Sequence, residues 1–206
     1  MSTMTLSTPA RRRLAALTTA LLVGSGAVAV VATPSVAAGR TPVLVGSLQS
    51  EIGCPGDWDP ACAASTLEPV DGTSQYAQTF DVPAGTYEYK VALNGTWDES
   101  YGANGVSGGD NISYTTTGGK VTFLYDPVSH VSWTNASEPI ITLAGSFQAA
   151  LGCESDWAPA CLAAAMRPQG DGTWTFTTNK IPTGSYQVKV SESLRGAVRE
   201  SIEIIA

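Results

Sequence analysis

Internal repetition constrains this chain more than any other feature, because a sequence that repeats must build the same structural unit twice. Gly46-Ser47-Leu48-Gln49 returns as Gly145-Ser146-Phe147-Gln148, an offset of 99 positions. Gly53-Cys54-Pro55-Gly56-Asp57-Trp58-Asp59-Pro60-Ala61-Cys62 returns as Gly152-Cys153-Glu154-Ser155-Asp156-Trp157-Ala158-Pro159-Ala160-Cys161. Asp71-Gly72-Thr73 answers to Asp171-Gly172-Thr173, and the segment 82–91 to the segment 181–190. Two tandem modules follow, expected over residues 43–134 and 140–206 and joined around 134–139. They are unequal. The first has roughly 43 residues after Val91, whereas the second has 16 after Val190. Everything from Asn94 to the end of the Gly-rich loop lacks a counterpart.

The residues ahead of the repeat read as an address. Arg11-Arg12-Arg13 forms a positive start, an apolar run extends to Ala32, and Pro34-Ser35-Val36-Ala37-Ala38 offers small residues at a cleavage site. That order is a secretory signal peptide over residues 1–38. A membrane anchor is the rival reading. The run is broken by Thr18, Thr19, Gly24, Ser25 and Gly26, and no later segment approaches the ~20 apolar residues of a spanning helix. The mature, secreted chain is then about 168 residues long. Eleven basic residues face 18 acidic ones, for a net charge of −7. Without the three leader arginines the count is 8 against 18, or −10. Such a chain has no field for nucleic-acid phosphates or for an anionic membrane surface.

Within the modules the pattern is β. Tyr87, Tyr89, Val91 and Leu93 alternate with Glu88, Lys90 and Ala92, the period of a half-buried strand that turns Lys90 outwards. Further strands are expected over 75–82, 111–117 and 120–126, punctuated by Pro83-Ala84-Gly85 and Gly118-Gly119. The second copy repeats strands over 140–144 and 185–191, with a closing hairpin through Arg195-Gly196 into 198–205. One short helix is expected at 60–64, capped by Asp59. The fold class is therefore all-β, two tandem antiparallel sandwiches of which the second is shortened. Four cysteines in a secreted chain allow three pairings. The repeat selects Cys54–Cys62 and Cys153–Cys161, because each pair then lies within its own module. A zinc site would need histidines or a CxxC spacing, and the chain has one His and a seven-residue gap.

The string Leu48-Gln49-Ser50-Glu51-Ile52-Gly53-Cys54-Pro55-Gly56-Asp57-Trp58-Asp59-Pro60-Ala61-Cys62, with the segment 83–102, resembles the X25-type modules of bacterial pullulanases and related secreted amylolytic enzymes. The resemblance covers the first copy and half of the second. More distantly, Tyr89-Lys90 through Asn94-Gly95-Thr96-Trp97 is similar to starch- and glycogen-binding modules of family 48. It implies an immunoglobulin-like sandwich, an α-glucan partner such as starch, pullulan or glycogen, and an amylolytic catalytic domain as associate. Carried over by position, it suggests Trp58, Lys90, Trp97 and Asn111 as sugar contacts, with Asn94 and Tyr101 beside them. Sugar chemistry agrees. An indole is a rigid, amphipathic platform for the apolar face of a glucose ring, and Lys and Asn serve its hydroxyls. Trp97, in the polar Asn94-Gly95-Thr96-Trp97-Asp98-Glu99 loop, is expected at the ligand. Trp133 and Trp174, in strand patterns, are expected in the core. Trp58 is either a platform or a cover for its disulfide, and Lys90 and Tyr101 are either contacts or ordinary surface. The second copy keeps Trp157 and Lys189 but has nothing aligned with Trp97, Tyr101 or Asn111, so it is expected mainly to pack or to space.

Catalytic readings are weak. Glycoside hydrolysis needs two placed carboxylates, and spacing marks no pair among Asp57, Asp59, Asp98 and Glu99. Gly105-Val106-Ser107-Gly108-Gly109 matches the nucleophile-elbow pattern, but a strand pattern follows where that turn needs a helix. Calcium at Asp57 and Asp59 is disfavoured by Ala158 in the second copy. The expectation is a non-catalytic binding protein without cofactor or metal. A fragment of a longer amylolytic enzyme and a sugar-free interaction module are the alternatives.

Overall fold

The structure, a computed structural model, describes residues 40–193. The expected signal peptide and the closing hairpin over 198–205 lie outside the described residues. Among these, the chain is all-β, its helical turns being short 3-10 segments, and every strand pair is antiparallel.

The first copy forms two four-stranded sheets. One is organised around β4 (Gly85–Leu93), with β1 (Pro42–Gly46) along one edge. The other edge carries β5 (Ser100–Tyr101) opposite Val91 and Ala92, then β6 (Ile112–Thr116) opposite Gly85 to Tyr89. The other sheet runs β2 (Glu68–Pro69), β3 (Tyr76–Val82), β7 (Gly119–Tyr125) and β8 (Ser132–Thr134). The expected strands over 75–82, 111–117 and 120–126 are β3, β6 and β7, each within a residue or so. The alternation along β4 sends Tyr89, Val91 and Leu93 into a core shared with Leu44, Phe80 and Phe123. Tyr89 and Phe123 meet edge to face at 5.1 Å, the preferred aromatic geometry.

Among the described residues, the second copy is half a sandwich. Within them β9 (Ile140–Gly145) pairs with β12 (Val188–Ser193) and, through a single bridge at Thr142, with Ala165, and β10 (Arg167–Pro168) pairs with β11 (Trp174–Thr175). The expected strand over 185–191 begins three residues late, and the reason is visible in the first copy. Residues 85–88 are strand there because β6 takes their hydrogen bonds. Residues 184–187 carry the matching sequence but have no such neighbour among the described residues, and their backbone is not strand. β11 is likewise two residues long where β3 has seven, and among the described residues no strand pairs with it in the place of β7.

The shortened copy is supported by its neighbour. Ala77, Leu124 and Trp133 of the first copy form one buried cluster with Ile140 and Ala165 of the second. Trp133 is in the core as expected, while Trp174 is half-buried against the second core. Gly72 stands at φ 84°, and a Cβ there would overlap the carbonyl oxygen of Leu151, so only glycine lets the two copies approach. Across the same junction Arg167 Nη1 donates to Asp126 Oδ2 at 2.7 Å. Burial alone would raise the Asp126 pKa. The Val128 N–H, the Ser129 hydroxyl and Arg167 outweigh it and hold the carboxyl below its ordinary value. A carboxyl lowered on folding stabilises fully above the unfolded carboxylate range, near ~4, and loses that contribution as pH falls through the folded value. Asp126→Asn should therefore lower the thermal midpoint by several degrees at pH 7 and flatten its fall below pH ~4. Calorimetry across pH 2–7 checks both effects.

Candidate functional site

The site is built from two loops at one end of β4. The first is the disulfide loop after β1, where Cys54 and Cys62 are joined, as Cys153 and Cys161 are in the second copy. Both pairings are those the repeat selects. Inside the loop the side chain of Gln49 is fully buried and fully used. Its Oε1 accepts from Gly46 N at 3.3 Å and Asp59 N at 2.8 Å, and its Nε2 donates to Asp59 O at 2.8 Å and Ser65 Oγ at 2.9 Å. These bonds replace the helix expected at 60–64. Asp59 Oδ1 caps a single turn by accepting from Ala61 N, and the chain then enters a 3-10 turn at Ala63–Ser65. The bonds of Gln49 to both Asp59 backbone groups fix that residue outside a helical path.

Trp58 sits at the tip of this loop with φ 60°, its N–H donating to Gly46 O at 3.3 Å. A positive φ costs an ordinary L-residue about 1–2 kcal/mol, and a bulky one adopts it rarely. The disulfide and Gln49 hold it there. The indole is half-buried. Asp57 Oδ1 accepts from Ser50 N, so both Asp57 and Asp59 serve the loop's own backbone. No cluster of three or more metal-ligating side chains exists among the described residues.

The second loop joins β4 to β5. Asn94 and Gly95 turn the chain at φ 59° and 72°, and Trp97 emerges 47% exposed. The two loops abut: a Cβ at position 95 would lie 3.7 Å from Pro60 O and 3.9 Å from Ala61 Cα. Asn94 is committed to the turn, since its Oδ1 accepts from Thr41 N at 3.1 Å and its N–H donates to Thr41 O. Lys90 projects from the outer face of β4, opposite Val45, and is half-exposed. Asn111, exposed just before β6, donates through Nδ2 to Glu88 Oε2 on the same outer face.

Tyr101 is placed differently. It lies opposite Val91, on the inner side of the sheet, and packs on the core. His130 stacks flat on its ring at 3.7 Å, and its hydroxyl donates to Glu99 at 2.6 Å. The loops of Trp58 and Trp97 thus abut, Lys90 lies on β4 and Asn111 is bonded to Glu88 of β4, Asn94 makes a scaffolding bond, and Tyr101 packs on the inner side of the sheet. Sequence reasoning missed Glu88, the partner of Asn111, and the organising Gln49. The signal for Gln49 was its return as Gln148 in an apolar setting. Gly105–Gly109 is a loop that leads into β6 rather than a helix.

Two adjoining loops thus carry one widely exposed and one half-buried tryptophan, and β4 and the segment before β6 carry an amine and an amide. The pullulanase X25 domain family model matches residues 41–132 and again 140–195. The chain belongs to the X25 family. The two matched segments fit the tandem copies, the second ending at residue 195. Segments of amylopullulanases from Thermoanaerobacterium thermosulfurigenes and Thermoanaerobacterium saccharolyticum are 45% and 42% identical over 104 residues. Each match covers 50% of this chain but only 6% and 8% of those enzymes. A solved pullulanase from Bacillus acidopullulyticus matches over 82% of this chain and 17% of its own, with 25% identity and a TM-score of 0.44. The X25 chain therefore spans a small fraction of the relatives it matches.

The loop's dependence on its internal bonds is testable. Removing Cys54 and Cys62 together should cost about 2–3 kcal/mol, the chain-entropy value for so short a loop. Gln49→Ala strands several buried backbone groups and should cost about 1–3 kcal/mol. Urea denaturation of each variant checks these values.

Proposed function

We propose that this protein is a secreted, non-catalytic accessory module that binds starch-class α-glucans through the outer face of its first copy. The observation that supports it is Trp97, a large indole 47% exposed on a polar loop that packs against the rigid loop of Trp58. Trp97 is the stacking surface and Trp58 its flank. Lys90 donates to ring hydroxyls, and Asn111, held by Glu88, both donates and accepts. A neutral polysaccharide needs no positive field, which suits a net charge of −7. The relatives are named as amylopullulanases, and the matched segments are a small share of each. On this reading the module works beside an amylolytic catalytic domain and concentrates it on its substrate. Two disulfides and the leader over residues 1–38 favour an extracellular setting.

Weak sugar binding near 1 mM amounts to about 4 kcal/mol. Losing a stacked indole forfeits roughly 1–3 kcal/mol, by analogy with base–aromatic stacking. Trp97→Ala should therefore remove most retention on insoluble starch while leaving the circular dichroism unchanged, and cellulose should retain neither protein. Equal retention of both proteins on starch, or release of reducing sugar by the purified chain, would falsify the assignment.

A further inference from the structure

Among the described residues the second copy has fewer strands than its twin, yet its disulfide loop is assembled with most of the same bonds. Gln148 Oε1 accepts from Gly145 N at 3.2 Å and Ala158 N at 2.7 Å, and its Nε2 donates to Ala158 O at 2.8 Å. Asp156 Oδ1 accepts from Ala149 N at 2.8 Å, as Asp57 does from Ser50. Trp157 N donates to Gly145 O at 3.2 Å, and Trp157 adopts φ 61°. Ala164 and Ala158 cannot repeat the bonds made by Ser65 Oγ and Asp59 Oδ1, and the exposure of the indole differs as well. Trp157 is 41% exposed, where Trp58 is half-buried.

Packing does not account for this side chain. It is absent from the second core, which Leu143, Phe147, Leu151, Met166 and Phe176 fill without it. Its left-handed backbone is sterically disfavoured, and burial of the indole does not compensate. What the loop achieves is a fixed apolar plate held towards solvent. Lys189, exposed on β12 in the position of Lys90, adds an amine on the outer side of the same sheet.

We propose that Trp157 is a second sugar-stacking platform, so that one chain engages an α-glucan at two points. The proposal rests on the glucan-binding reading of the first copy and extends it to a copy whose sequence suggests packing alone. Docking through the Ala77, Leu124, Trp133, Ile140 and Ala165 cluster fixes the second platform relative to the first. Binding at one platform then presents the other at high effective concentration, but only to a polymer long enough to reach both. Trp157 lacks a partner like Trp97, so by itself it is the weaker point.

The test follows the indole N–H signals of the five tryptophans by NMR while the full chain is titrated with maltoheptaose, alongside retention on insoluble starch. The Trp157 signal, assigned by its loss in Trp157→Ala, should move on titration. Trp157→Ala should cut starch retention about tenfold, a modest share of the avidity range for linked sites. It should leave the titration midpoint of the Trp97 signal unchanged, and Trp157→Phe should recover part of the retention. If the Trp97 signal moves and the Trp157 signal stays still, the second platform is wrong and the first-copy reading stands. The second platform is equally wrong if starch retains Trp157→Ala as well as it retains the unaltered chain. If no indole moves and starch retains nothing, both readings fail.

Discussion

A strand exists only where a neighbour takes its N–H and C=O groups, and this requirement shapes the whole molecule. In the first copy it is met on both edges of β4 and of β3, and two complete sheets close over one aromatic core. Among the described residues of the second copy, β11 and β12 are each paired on one side, and the strands shrink to the residues that are paired. The same peptide pattern, Pro-x-Gly-x-Tyr, is thus strand in one copy and irregular chain in the other.

A half-sandwich cannot bury its apolar face alone, so it leans on its twin. The cluster around Trp133 and Ile140, the glycine at 72 and the Asp126–Arg167 pair all lie at that junction. Breaking such a pair leaves a charge in a partly desolvated place, so it fixes the docking geometry more than it adds net stability. The consequence for function is that the two disulfide loops are held in a set relation rather than on a slack tether.

Each loop follows a common logic. A buried glutamine takes the place of regular secondary structure, satisfying backbone groups that no strand reaches, and a nine-residue disulfide ring closes around it. Rigidity of this kind matters for weak ligands. A sugar that must order its own platform loses much of the little binding energy available, whereas a fixed indole avoids that loss.

The repeat, the strand alternation and the cysteine pairing were legible in the sequence, because each depends on local spacing: period two along β4, a shared offset, and a short loop to close. The candidate face was legible in part for the same reason. Trp97 lies in a run of polar and turn-forming residues, and Lys90 alternates with core residues. The tertiary structure decided the rest. The side of the sheet on which Tyr101 falls depends on its register with Val91, and the stacking of His130 on it joins segments far apart in the chain. The missing helix at 60–64 depended on a glutamine ten positions away. The shorter strands of the second copy depended on pairing that is absent among its described residues. The exposure of Trp157 beside the half-burial of Trp58, from nearly the same ten residues, is likewise settled by surroundings that local sequence does not encode.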